Sequence, residues 1–502
     1  MNLDTTLIDF SGNSSNASDQ WRLEDAFRGV QIFGGIGSGK SSGSGRTFAR
    51  AVLRSGFGGV VLCAKPDERE NWERLAKDAG RSKDLIIFTA PEKDATGNLL
   101  EPEYFFNPLD YQGRRKDSGQ TYNLVSLFMQ IYQMGRVISG EGLAKDGERF
   151  WDNALKRCMS RMIDLLKLAQ QPVSVSNMRK LITNALIKAE VEELNRIRGL
   201  DNKAESNDKL QKWAEYNYYI YCYLKIKLHY KKMETRPLDE IQEYAAIFHD
   251  VKNYFEREFA TIAEKTKTII VESFLGIAEP FSSGILKRYF AGATSPEVCP
   301  EVTFKEGKIL VLDFPFKNHL DAGVYAQSIY KLLWQQTVER RKYKAGDIPV
   351  FLWVDEAQMA LSSYDQVFQT TARSAGVCTV FLSQNISNYY VAIGGSNATS
   401  RANSLLGNLA TKVFHANNDA VTNEWAAKTI GKEFVAIESI SSGQSQSISL
   451  VKQLHFQVEP RRFTVLKSGG VTNDFRVEAI ITVAGRQWSD GKNYIQRSFN
   501  QK

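Results

Sequence analysis

Residues Gly34-Gly35-Ile36-Gly37-Ser38-Gly39-Lys40-Ser41 fit the pattern GxxxxGK[ST]. Glycines at these positions let the backbone curl until successive N–H groups aim at phosphate oxygens. A helix starting at Ser41 adds the positive end of its dipole. Lys40 then brings a point charge to the β- and γ-phosphates of ATP, and the Ser41 hydroxyl is a ligand for Mg²⁺. The expected nucleotide-binding set is Gly34, Gly35, Ile36, Gly37, Ser38, Gly39, Lys40, Ser41 and Ser42.

A second motif, Val350-Phe351-Leu352-Trp353-Val354-Asp355-Glu356, ends an apolar run in two carboxylates. Asp355 is placed to hold the metal with Ser41, and Glu356 to polarise an attacking water as a general base. A third apolar run ends in Ser383-Gln384-Asn385, where the Gln384 amide can orient water or sense the γ-phosphate. Arg373, just ahead of that run, is either a surface or salt-bridged arginine or one that reaches the γ-phosphate of a neighbouring subunit, with Arg46 and Arg401 as other candidates.

These residues need a scaffold of strand tips. Val30–Phe33, Gly59–Cys63 and Leu85–Ala90 read as buried strands, with helical stretches between them, which is the β-α-β-α-β order of a parallel sheet. Strand patterns resume at Ile309–Phe314, Val350–Val354, Cys378–Ser383 and Thr411–His415, with a helix expected at Ala322–Arg341. Between the two groups the spacing is helical, notably over Arg149–Ala169, Asn177–Arg198, Leu210–Lys232 and Leu238–Ile262. The expectation is an α/β, RecA-like P-loop NTPase domain with a mainly parallel sheet, residues 21–118 and 282–490, interrupted by an all-helical domain, residues 119–281. Residues 1–20 and 491–502 read as flexible ends. Lys203–Asp208 and Ser439–Ser449 read as loops.

Composition narrows the class. With 502 residues, 43% apolar and 24% charged, the chain can bury a large core. No run approaches the ~20 apolar residues of a membrane-spanning helix. The polar start has no signal-peptide pattern. The expected location is cytoplasmic, with recruitment to the inner membrane by partners. Five scattered cysteines without CxxC spacing argue against a zinc site or a disulfide framework. The net charge of +7 is compatible with nucleic acid. Trp213–Lys232 interleaves tyrosines and lysines, which fits either base stacking or a core stripe with a solvated face. Arg340-Arg341-Lys342-Tyr343-Lys344 fits a basic helix end.

The order of motifs resembles the TraG-like type IV coupling proteins of conjugation and secretion, within the FtsK/HerA-type translocases. The likeness runs from about Trp21 to Arg486. It rests on Ile32–Gly43, on Val60–Glu68 as the strand with Asp-x-Lys and a following Glu, and on Phe106-Asn107-Pro108-Leu109-Asp110. Phe150-Trp151-Asp152-Asn153-Ala154, Val354-Asp355-Glu356 and Ser383-Gln384-Asn385 complete it. Two features depart from the pattern: the family usually begins with membrane-spanning helices, and Cys63 stands where it usually has Asp. The resemblance implies a homo-hexameric ATPase ring passing DNA or a nucleoprotein substrate toward a secretion channel. It also implies a helical domain that contacts relaxosome or substrate proteins, and an Arg373 acting across the subunit interface. Two other readings stay open: an ATPase that remodels a protein machine without moving DNA, and a non-hydrolysing nucleotide switch that recruits secretion substrates.

Overall fold

A computed structural model describes residues 2–11, 17–90, 96, 98, 100–114, 120–138, 149–233, 236–441 and 447–502. They form two compact units, residues 1–89 with 300–502, and residues 90–299. The strands, all in the first unit, are β1 (Thr6–Asp9), β2 (Gln20–Arg22), β3 (Val30–Phe33), β4 (Gly58–Leu62), β5 (Leu85–Thr89), β6 (Ile309–Asp313), β7 (Val350–Val354), β8 (Val377–Ser383), β9 (Thr411–Phe414), β10 (Lys432–Ser441), β11 (Ser447–Phe456), β12 (Arg476–Val483) and β13 (Tyr494–Asn500).

Nine of them make one sheet in the order β13-β12-β9-β3-β8-β7-β4-β6-β5. From β9 to β5 every pairing is parallel. Strands β3, β4, β6, β7 and β8 are buried along their whole length, which explains their continuous apolar runs in place of an alternating pattern. Because the strands run the same way, the C-terminal tips of β3, β4, β7 and β8 share one edge, the edge where open α/β sheets bind ligands.

Both chain ends of this unit correct the sequence expectation. The segment within 1–20 is not loose: β1 pairs antiparallel with β2, and Ile8, Phe10 and Trp21 enter the core. Trp21 Nε1 donates to Thr411 Oγ1 at 3.0 Å. The segment 491–502 contains β13, which pairs with β12 and buries Ile495 and Phe499. Two apolar residues among polar neighbours gave too weak a pattern for an edge strand. The expected loop Ser439–Ser449 is largely a hairpin, since β10 and β11 pair in continuous register out to Ser441 and Ser447. Residues 442–446 lie outside the described set. Within the basic cluster Arg341 ties the structure together, donating to the carbonyls of Ala375, Ile348 and Gly376.

The second unit is helical. Its helices include Gln120–Ile138, Arg149–Leu168, Val175–Thr183, Lys188–Arg198, Lys203–Ala214, Tyr218–Lys232, Leu238–Lys252 and Glu264–Ala278. Two long helices expected from periodicity are broken by caps, as where the Asn217 side chain accepts from Ile220 N. Lys203–Asp208 is helical rather than a loop. Asn202 caps it, and Glu205–Lys209 and Asp208–Lys212 pair one turn apart on its solvated face. Of the tyrosines in the aromatic stretch, Tyr219 and Tyr223 are buried, Tyr218 and Tyr221 half-buried, and Tyr216 and Tyr230 exposed, so the stripe is part core and part surface. The flanks of this unit belong with it because they bond to each other: Phe106 N donates to Tyr289 O, and Asn107 Nδ2 to Gly292 O. Its borders therefore lie outside the expected 119–281. Among the described residues, no single helix is long and apolar enough to cross a membrane.

Candidate functional site

The glycine loop leaves the tip of β3, at the middle of the sheet. Gly37 and Gly39 take φ values of 72° and 78°, the left-handed region that favours glycine. A Cβ on Gly39 would also lie 2.5 Å from Val477 Cγ2. The loop is tied down by Gly34 N to Ser383 O at 3.2 Å and Gly35 N to Ala416 O at 2.9 Å. Among the described residues, nothing accepts from the N–H groups of Gly37, Gly39 or Lys40. Ser38 Oγ is buried without a hydrogen-bond partner. Donors curled around a point with no protein acceptor make an anion nest. The chain then enters a π-helical turn, Ser41–Gly45, closed by Gly45 N to Lys40 O at 2.8 Å, and continues as the helix Arg46–Arg54.

The acidic pair arrives from β7, two strands away. Ser41 Oγ donates to Asp355 Oδ2 at 2.9 Å, joining motifs that are 314 residues apart in sequence. Lys40 Nζ lies 3.6 Å from Glu356 Oε1. Their side chains are only 9% and 12% exposed, so solvent screens them little and each compensates the other's charge. Glu356 has φ 47° and ψ 50°, a left-handed conformation that is costly for a non-glycine residue and typical of functional sites. Burial pushes its carboxyl up, but Lys40, a hydrogen bond from Gln358, Lys65 and Gln384 together hold it below the ordinary carboxylate value. Gln384 Nε2 reaches Glu356 Oε1 at 3.4 Å from the tip of β8, and Asn417 Nδ2 fixes the Gln384 carbonyl at 2.8 Å. Gln358 Nε2 donates to Glu356 Oε2 at 2.9 Å.

The structure thus gathers Lys40, Ser41, Asp355, Glu356 and Gln384. A cleft of about 360 Å³ opens beside them, lined among others by Gly37, Gly39, Lys40, Ser41, Lys65 and Asp355. The Ile36 side chain is 89% exposed at the loop tip and does not line it. Arg373 is not brought to this group. It precedes β8, at the opposite edge of the sheet from the loop, and pairs with Glu24 at 2.9 Å.

Sequence reasoning quoted Lys65 and Glu68 only as parts of a motif resembling the family's, without a role, and gave His415 none. Lys65, three residues past β4, lies 3.7 Å from Asp355 Oδ2 and 3.6 Å from Glu356 Oε1. Glu68 accepts from Ala64 N, and burial followed by the charge of Asp355 raises its carboxyl well above the usual value. His415, past the tip of β9, joins Ser44 Oγ at 2.6 Å and Glu478 O at 3.0 Å. Since Glu478 O can only accept, His415 Nδ1 carries the proton and Nε2 accepts from Ser44. The usable signal was positional: each follows the tip of a buried parallel strand.

A mainly parallel sheet of this order, with its glycine loop at the central strand and an acidic pair two strands away, defines a RecA-like P-loop NTPase fold carrying a helical domain. Residues 349–463 match the family described as the TraM recognition site of TraD and TraG, and they include Asp355, Glu356, Arg373 and Gln384. The bacterial conjugative coupling protein TrwBdeltaN70, in its unbound monoclinic form, aligns with a TM-score of 0.60 at 13% identity, over 99% of this chain and 90% of that one. The plasmid coupling protein TrwB in complex with ADP and Mg²⁺ gives 0.59 at 13% identity, over 99% and 93%. Its complex with a non-hydrolysable ATP analogue gives 0.59 at 13%, over 99% and 94%. No curated protein matches this chain in sequence. On the family segment and on the fold together, the resemblance to the TraG-like coupling proteins holds.

Proposed function

We propose that this chain is a Mg²⁺-dependent ATPase of the conjugative coupling type, which uses hydrolysis to move DNA or a nucleoprotein substrate toward a type IV secretion channel. The observation that carries the reading is the hydrogen bond from Ser41 to Asp355, with Lys40 on Glu356 beside it. The nucleotide complexes of TrwB support the choice of ligand.

In this reading the loop N–H groups and Lys40 bind the β- and γ-phosphates. Ser41 and Asp355 are the residues that would hold Mg²⁺, and their hydroxyl and carboxylate oxygens suit a hard cation. When bound, the ion neutralises charge on the phosphates. Glu356, kept ionised by Lys40 and Lys65, accepts the proton of the attacking water. Gln384 orients that water and reports the state of the γ-phosphate to β8. Arg373, remote from its own loop, would act on the nucleotide of a neighbouring copy in a homo-hexameric ring. The match to a TraM recognition site supports relaxosome partners, which would also bring the chain to the inner membrane.

Phosphate release from the full chain, measured with and without single- and double-stranded DNA, tests this. Stimulation by DNA is expected. A DNA-independent rate would favour remodelling of a protein machine, and nucleotide binding with no release would favour a switch.

A further inference from the structure

We infer that Lys65 is a second phosphate-binding lysine, which trades Asp355 for the terminal phosphate when a triphosphate is bound. The inference rests on the nucleotide reading above and names a residue that sets its specificity.

Lys65 is placed by the sheet. Strand β4 lies beside β7 with Leu62 opposite Val354, so the chain just past β4 crosses the carboxylates just past β7. Two cations and two anions then share two oxygens. Glu356 Oε1 faces both Lys40 and Lys65, at 3.6 Å each. Asp355 Oδ2 faces Lys65 at 3.7 Å while accepting from Ser41 at 2.9 Å.

The two lysines differ in freedom. The Lys40 side chain is 9% exposed and fixed at the start of a helix, whereas Lys65 is 33% exposed on a four-carbon stem and lines the same cleft as the loop. Lys65 cannot keep Asp355 Oδ2 once that oxygen also faces a divalent ion, because like charges at such range repel. Glu356 keeps its ammonium within reach of the cleft, and a γ-phosphate oxygen is the acceptor of matching charge. A diphosphate bound with Mg²⁺ displaces Lys65 from Asp355 in the same way but offers no γ-phosphate oxygen, so the ammonium stays on Glu356 alone. Lys65 therefore distinguishes triphosphate from diphosphate, which Lys40 alone does less sharply because it also serves the β-phosphate.

The experiment is calorimetric titration of the full chain with a non-hydrolysable ATP analogue and with ADP, both with Mg²⁺, for the natural sequence, Lys65→Met and Lys65→Arg. Lys65→Met should weaken the triphosphate analogue about tenfold, as expected for one charge-assisted hydrogen bond, and change ADP by no more than about twofold. Lys65→Arg should restore most of the difference. Equal losses for both nucleotides, or no loss for either, would overturn the inference while leaving the nucleotide reading intact. If the natural sequence bound neither nucleotide, both would fall.

Discussion

Replacing Glu356 with Gln should separate two jobs that the structure assigns to one carboxylate. The amide keeps the volume, and its one oxygen, in the place of Oε2, can still accept from Gln358 and Gln384, which reach that atom at 2.9 and 3.5 Å. It loses the charge that faces two ammoniums at 3.6 Å each. Lys40 is then no longer shared between Glu356 and the phosphates. The pair is looser than a hydrogen-bonded ion pair, so its coupling belongs at the low end of values for close charge pairs, about 1.5 kcal/mol. Glu356→Gln should therefore bind a non-hydrolysable triphosphate up to about tenfold more tightly. Without a proton acceptor for the water, turnover should fall by ~10²–10⁴. Calorimetric binding and steady-state phosphate release read the two effects separately. Unchanged turnover would refute the base assignment. Weaker binding, falling in step with turnover, would refute the competition between Glu356 and phosphate for Lys40.

Two further outcomes follow from the loop and its surroundings. Gly39→Ala should destabilise the first unit by about 2–4 kcal/mol, from left-handed backbone plus overlap with Val477, whereas Gly37→Ala, with open space at its Cβ, should cost only about 1–2 kcal/mol. Thermal unfolding compares them, and equal costs would contradict the packing described. Burial lowers His415 from 6.5 to about 4. Between those values the unfolded chain takes up a proton that the folded chain refuses. The stabilisation is thus complete above pH 6.5 and lost as pH falls toward 4, by roughly 3 kcal/mol in all. His415→Asn should flatten stability over that window, and an unchanged slope would show that another group controls it.

The phosphate loop and the acidic pair were legible because each is a fixed run of residues beside a buried strand, and parallel strands in a sheet interior write their identity as unbroken apolar runs such as Val350–Val354. The edge of the sheet was not legible. In β13 only Ile495 and Phe499 are buried, and in β1 only Ile8, so the pattern that betrays a central strand is missing. The Lys203–Ala214 helix was obscured because its charged residues pair with one another across a turn, and composition alone reads such a run as a loop. The role of Lys65, quoted only as a motif residue, and His415 altogether escaped for another reason. Their significance lies in which strands become neighbours, β4 with β7 and β9 with β3, and strand order is a property of the folded sheet.

Magnesium-dependent phosphate release from ATP, compared between the full natural chain and Lys40→Ala, tests the central claim most directly. Lys40 is the cation that joins the loop to Glu356, so the substitution should remove nucleotide binding and turnover together while the circular dichroism spectrum of the fold persists. Undiminished release by Lys40→Ala would contradict the claim that this cleft holds and cleaves the triphosphate.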